Sequence, residues 1–66
     1  MKKFKKEDIC YVVALRDEPD GRRRYLTLMG KKLEEIGVTL FERDFSNTEP
    51  KDWLGKRFKI LIEEVK

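Results

Sequence analysis

Three consecutive arginines, Arg22-Arg23-Arg24, are the side chains of this sequence best suited to hold a ligand. Guanidinium groups present planar, bidentate donors that match phosphate oxygens. Arg43, Lys51, Lys56, Arg57 and Lys59, with the N-terminal lysines, supply cations for a wider basic rim. Tyr25 and Trp53 would stack on bases if exposed. The site this pattern predicts is Arg22, Arg23, Arg24, Arg43, Lys56 and Arg57, contacting RNA or DNA phosphates. A competing account pairs the arginines with Asp17, Glu18 and Asp20 in a surface salt-bridge patch and sends Tyr25 and Trp53 to the core.

The catalytic inventory is short. Without histidine the usual general base at neutral pH is missing. Cys10 lies within an apolar run and reads as a small buried hydrophobe with an inert thiol. Asp17, Glu18 and Asp20 lack EF-hand spacing and are better explained as helix caps than as a metal site. Gly21, Gly30, Gly37 and Gly55 match neither the P-loop nor the dinucleotide fingerprint. The expectation is a protein that is not an enzyme and uses no metal or cofactor.

Sixty-six residues make one small domain, residues 1–66, with 1–7 as a flexible basic lead-in. A chain of this size buries only about 60% of the surface its unfolded form exposes. One cysteine forms no internal disulfide, so packing, oligomerisation or surface charge must hold the fold. Charged residues make up 44% of the chain, which favours the last of these. Abundant Lys, Glu and Arg, with no Gln and a single Asn, resembles the proteins of hyperthermophiles. A lone free cysteine suits a reducing cytoplasm. No apolar segment approaches the ~20 residues needed to span a bilayer, so no membrane partner is expected. Net charge +3 is only mildly basic.

The elements that must position these residues follow from periodicity. Ile9 to Leu15, ICYVVAL, is an unbroken apolar run rich in β-branched types and reads as a strand covered on both faces. From Arg22 to Gly37, Leu26, Met29, Leu33 and Ile36 recur at helical spacing, and Gly37 stands where a helix commonly stops. Asp17-Glu18-Pro19-Asp20-Gly21 fits the start of that helix. It also fits a hairpin turn, with Arg22–Met29 returning as a strand. Val38 to Phe45 reads as a second strand. Ser46 to Pro50 is a second cap cluster. From Trp53 onward Leu54, Phe58, Leu61 and Val65 mark an amphipathic helix, although Phe58, Ile60 and Ile62 also alternate as a closing strand would.

The expected fold class is therefore α/β, a small β-α-β-α two-layer domain with a parallel strand pair. The alternative is α+β with an N-terminal β-hairpin and a C-terminal strand. In the first arrangement the arginines open a helix at the sheet's carboxyl edge, where open α/β sheets bind ligands. Two strands bury ICYVVAL poorly when both helices cover one face, and a homodimer would cover the bare side.

The order of features also resembles the anticodon-binding domain of class II aminoacyl-tRNA synthetases over roughly residues 10 to 58. ICYVVAL is similar to that family's first strand, and Leu33 to Leu40 to its helix-end, glycine, second-strand passage. Arg43-Asp44 and Leu54-Gly55-Lys56-Arg57-Phe58 are similar to its strand-end acid and following helix. The resemblance implies an α/β fold and RNA contact near Arg43, Lys56 and Arg57. GKKLEEIGVTLFERDF also looks like part of a thioredoxin or glutaredoxin fold, without the Cys-x-x-Cys pair that redox activity needs. The leading functional expectation is a small non-enzymatic binding protein for nucleic acid. The alternative is a protein–protein interaction module or subunit using an uncovered sheet face.

Overall fold

The five residues from Asp17 to Gly21 decide the architecture. In the computed structural model, which describes residues 2–66, they end a strand and enter the turn of a hairpin, and start no helix. Pro19 and Asp20 hold its corner, Gly21 N–H donates to the Glu18 carbonyl at 2.9 Å, and Gly21 takes φ +74°, a region glycine enters without strain. Strand β1, Lys5–Asp17, thereby turns back into β2, Arg23–Gly30. A second hairpin leads to β3, Glu34–Phe41. A connection with two single helical turns, α1 (Glu42–Phe45) and α2 (Pro50–Trp53), then carries the chain to β4, Arg57–Glu63.

The sheet order is β3-β2-β1-β4 and each neighbouring pair is antiparallel. Three hairpin-linked strands with a fourth returning beside the first make a Greek key. The expected β-α-β-α domain with parallel strands is thus corrected, as is the α/β fold implied by the synthetase-like features. The helix expected over Arg22–Gly37 is β2, a turn and the first half of β3. The strand expected over Val38–Phe45 stops at Phe41, and the C-terminal helix is β4. Within the segment read as a lead-in, β1 already begins at Lys5, and Phe4 lies 56% exposed away from the core. Met1 lies outside the described residues.

The alternation of β2 explains the outcome. Arg24, Leu26 and Leu28 point to one face and are buried, whereas Arg23, Tyr25, Thr27 and Met29 point to the other. In β1 the same period is interrupted. Val12 opposes Leu28 and Ala14 opposes Thr27, which leaves Val13 unopposed in a β-bulge. Cys10 and Val12 face inward before the bulge, and Leu15 and Asp17 after it.

The core is thin. Cys10, Val12, Leu26 and Leu28 form its centre, ringed by partly buried Leu15, Ile36, Val38, Leu40, Trp53, Phe58 and Ile60. Trp53 stacks on Phe58 with ring centroids 6.3 Å apart. The connection covers this inner face at the Arg24 end. At the opposite end the Asp8 carboxylate accepts from Lys32 N–H at 2.7 Å and Leu33 N–H at 3.1 Å, fastening the second turn. Gly30 is required beside it, since a Cβ there would lie 2.7 Å from the Cys10 Sγ and closer still to the Asp8 carboxylate.

Candidate functional site

A strand sends successive side chains to opposite faces, so the three arginines part company. Arg22 lies at the mouth of an open cleft of about 540 Å³ with Phe41, Glu42, Arg43 and Ser46. Arg23 lies on the outer face, its guanidinium 3.8 Å from Glu18. Arg24 turns inward and is only 3% exposed. Its Nε donates to Asp17 Oδ1 at 2.5 Å, Nη2 to Asp17 Oδ2 at 3.0 Å, and Nη1 to Thr48 Oγ1 at 3.3 Å. The guanidinium also lies 4.5 Å from the centre of the Phe45 ring. All of this serves the fold: Arg24 pins β1 and the connection to β2, and its hydrogen bonds hold the Asp17 carboxyl below the ordinary carboxylate range.

Of the six residues expected to hold phosphates, only Arg22 and Arg43 share a cleft. Lys56 lies over the Trp53 ring at 5.5 Å, and Arg57 stands on the outer face directly opposite Tyr11. The helix start at a parallel sheet's carboxyl edge, expected to hold the phosphate, does not exist: Arg23 and Arg24 lie on β2 of an antiparallel sheet. Cys10 is fully buried, and its burial, with the Asp8 carboxylate nearby, pushes the thiol's pKa up.

The surface that stands out was approached in the sequence only through ICYVVAL. The outer face of the sheet carries Ile9, Tyr11, Val13, Met29 and Leu61, which are between 38% and 54% exposed. Tyr11 pairs directly with Met29 on one side and with Arg57 on the other, and Ile9 and Val13 flank Tyr11 along β1. Leu61, whose direct partner is Glu7, lies diagonal to Ile9, which itself pairs with Lys59. Ile9, Tyr11 and Met29 line one open cleft of about 440 Å³ with Lys31 and Arg57. Around them stand Arg16, Arg23, Lys59, Glu7, Glu35 and Glu63. Arg16 sits 5.2 Å from the Tyr25 ring centre, Tyr25 Oη donates to Glu18 at 2.8 Å, and Lys59 pairs with Glu7 at 3.4 Å. Two ion pairs stand on this rim, Lys59 with Glu7 and Arg23 with Glu18, and its middle is apolar.

Size makes this face unusual. The chain exposes 5608 Å², about a quarter more than the ~4,450 Å² expected of a compact monomer of 8.0 kDa. Its radius of gyration is 13.6 Å against about 11 Å expected, and it measures 45 × 25 × 16 Å. The molecule is a slab, one sheet with half a second layer, whereas stable domains pack two.

No protein-family model, curated protein or solved structure matches this chain. Fold and surface together define a small Greek-key sheet domain with one open apolar face. No helix among the described residues is long and apolar enough to cross a membrane.

Proposed function

We propose that this chain is a non-catalytic association module whose outer sheet face takes a protein partner. The observation that carries the reading is the contiguous group Ile9, Tyr11, Val13, Met29 and Leu61, left bare at the centre of a sheet and ringed by charge. Apolar patches of this kind, rimmed by polar groups, characterise protein interfaces. A reducing, cytoplasmic setting suits the free thiol of Cys10. Phosphate binding loses its geometric support, since no helix starts at the triple arginine.

The test replaces two half-exposed residues, in Ile9→Asp/Tyr11→Asp. Both stand on the outer face, so the variant keeps its strand circular dichroism, with a modest loss from β-propensity of about 1 kcal/mol. Association, followed by sedimentation and by capture on the immobilised chain, is expected to vanish. A variant that still associates as the native chain does refutes the face as the surface. A salt-sensitive complex of the native chain with RNA or DNA in a low-salt gel shift would restore the phosphate reading in its place.

A further inference from the structure

The row of residues that crosses the outer face at its middle has an order of its own. Reading from edge to edge it is Arg57 on β4, Tyr11 on β1, Met29 on β2 and Glu35 on β3, each the direct partner of the next. The sheet has four strands, so its midline falls between β1 and β2. A half-turn about an axis along that midline exchanges β4 with β3 and β1 with β2. Cation then lies over anion and aromatic ring over thioether. A sequence of this kind is self-complementary, as a two-fold interface requires.

We infer that the outer face binds a second copy of this chain, face to face, about a two-fold axis parallel to the strands between β1 and β2. This rests on the association reading above and names its partner. In the pair, Arg57 meets the partner's Glu35, and Tyr11 meets the partner's Met29. Sulfur against a ring edge is a favourable contact. Arg16 comes over the partner's Tyr25, a ring that already has a guanidinium beside it within its own chain.

Strand direction is preserved by this axis, which gives the aligned packing that two twisted sheets adopt about 10 Å apart. Beyond the bulged Val13, the next paired row is Ala14, Thr27 and Gly37, small side chains that let the sheets approach. The area also fits. The chain exposes 5608 Å², about 1,160 Å² above a compact monomer, and a standard interface buries about 800 Å² from each partner. An axis across the strands would instead set Arg57 on the partner's Arg57 and Glu35 on the partner's Glu35. Like charges opposed in that way repel.

Sedimentation equilibrium of the intact chain, from micromolar to about millimolar concentration, with charge reversals at the two ends of the row, tests the inference. The native chain is expected to be a dimer. Arg57→Glu and Glu35→Arg alone should each weaken it about tenfold or more. Arg57→Glu/Glu35→Arg together should restore it to within a few fold of the native value. Both positions lie on strand edges and outer faces, and circular dichroism of each variant checks that the sheet is retained. A native chain that stays monomeric throughout the range overturns the second copy as partner. A dimer that the double reversal fails to rescue overturns the proposed axis. In either case the Ile9→Asp/Tyr11→Asp comparison, by capture as well as by sedimentation, shows separately whether the face itself is an association surface.

Discussion

The single side chain on which most depends is Arg24, because it is a charge taken almost wholly out of water. It is tolerated only through its partners: both Asp17 oxygens, the Thr48 hydroxyl and the face of Phe45. Thr48 is equally committed, since its hydroxyl accepts from Trp53 Nε1 at 2.9 Å and donates to the Phe45 carbonyl. A triple arginine in a sequence advertises a binding site. Which of the three becomes structural is decided by strand parity, and parity is invisible until the turn is known. Asp17→Asn leaves Arg24 with a neutral partner and should lower stability by about 2 kcal/mol, discounted from a fully buried pair because Asp17 is 39% exposed. The pH dependence has a definite sign. Asp17 has its folded pKa depressed below 3.8, so its contribution is complete above that value and is lost as pH falls through the lower one. The gap between native and Asp17→Asn urea midpoints should therefore be widest near neutrality and close below pH 3.8. Asp8 is held down by the Leu33 and Lys32 backbone N–H groups and Asp20 by that of Arg22, so both variants keep an acid limb.

Elements were legible where turn chemistry was conventional. Pro19-Asp20-Gly21 is a hairpin turn in plain view, and Leu26 and Leu28 already alternate. The helical stripe from Leu26 to Ile36 competes with that signal, because the second turn carries none of its own. Three residues, Lys31 to Leu33, join β2 to β3, and such loops place a left-handed residue after them, usually glycine. Here that residue is Glu34, at φ +57°. Nothing about Lys-Lys-Leu-Glu announces a turn. It is held by a tertiary contact, the Asp8 carboxylate from β1, which no local window contains. Glu34→Gly should therefore stabilise the chain by about 1 kcal/mol, raising the thermal midpoint by several degrees, with the sheet unchanged. A loss of stability would show that the Glu34 side chain contributes more than its backbone costs.

For the whole molecule, the apolar run ICYVVAL does form a strand, but the cover on both faces expected of it is absent: one face is buried and the other carries half-exposed Ile9, Tyr11 and Val13. The connection from α1 to α2 covers one side only, and the candidate surface is the remainder. Residue type and exposure together mark that surface: Ile9, Tyr11 and Val13 are core residues by nature and half exposed by position. Charge is the louder signal in the sequence, but sixteen cations dispersed among thirteen anions carry little information about a site. The unopposed Val13 shows how narrowly these surfaces are assigned. It works as a phase shift of one, separating two stretches of a strand that are each regular and mutually out of step. Its removal should be far worse than its truncation. Val13→Ala removes only a half-exposed side chain, at roughly 0.5 kcal/mol. Deleting the residue keeps nearly all the composition but sends Leu15 and Asp17 to the wrong side, leaving Arg24 charged, enclosed and unanswered. Chemical denaturation of the two variants should separate them by several kcal/mol. One spare valine thus keeps the greasy and the ionic halves of the strand in register with different neighbours.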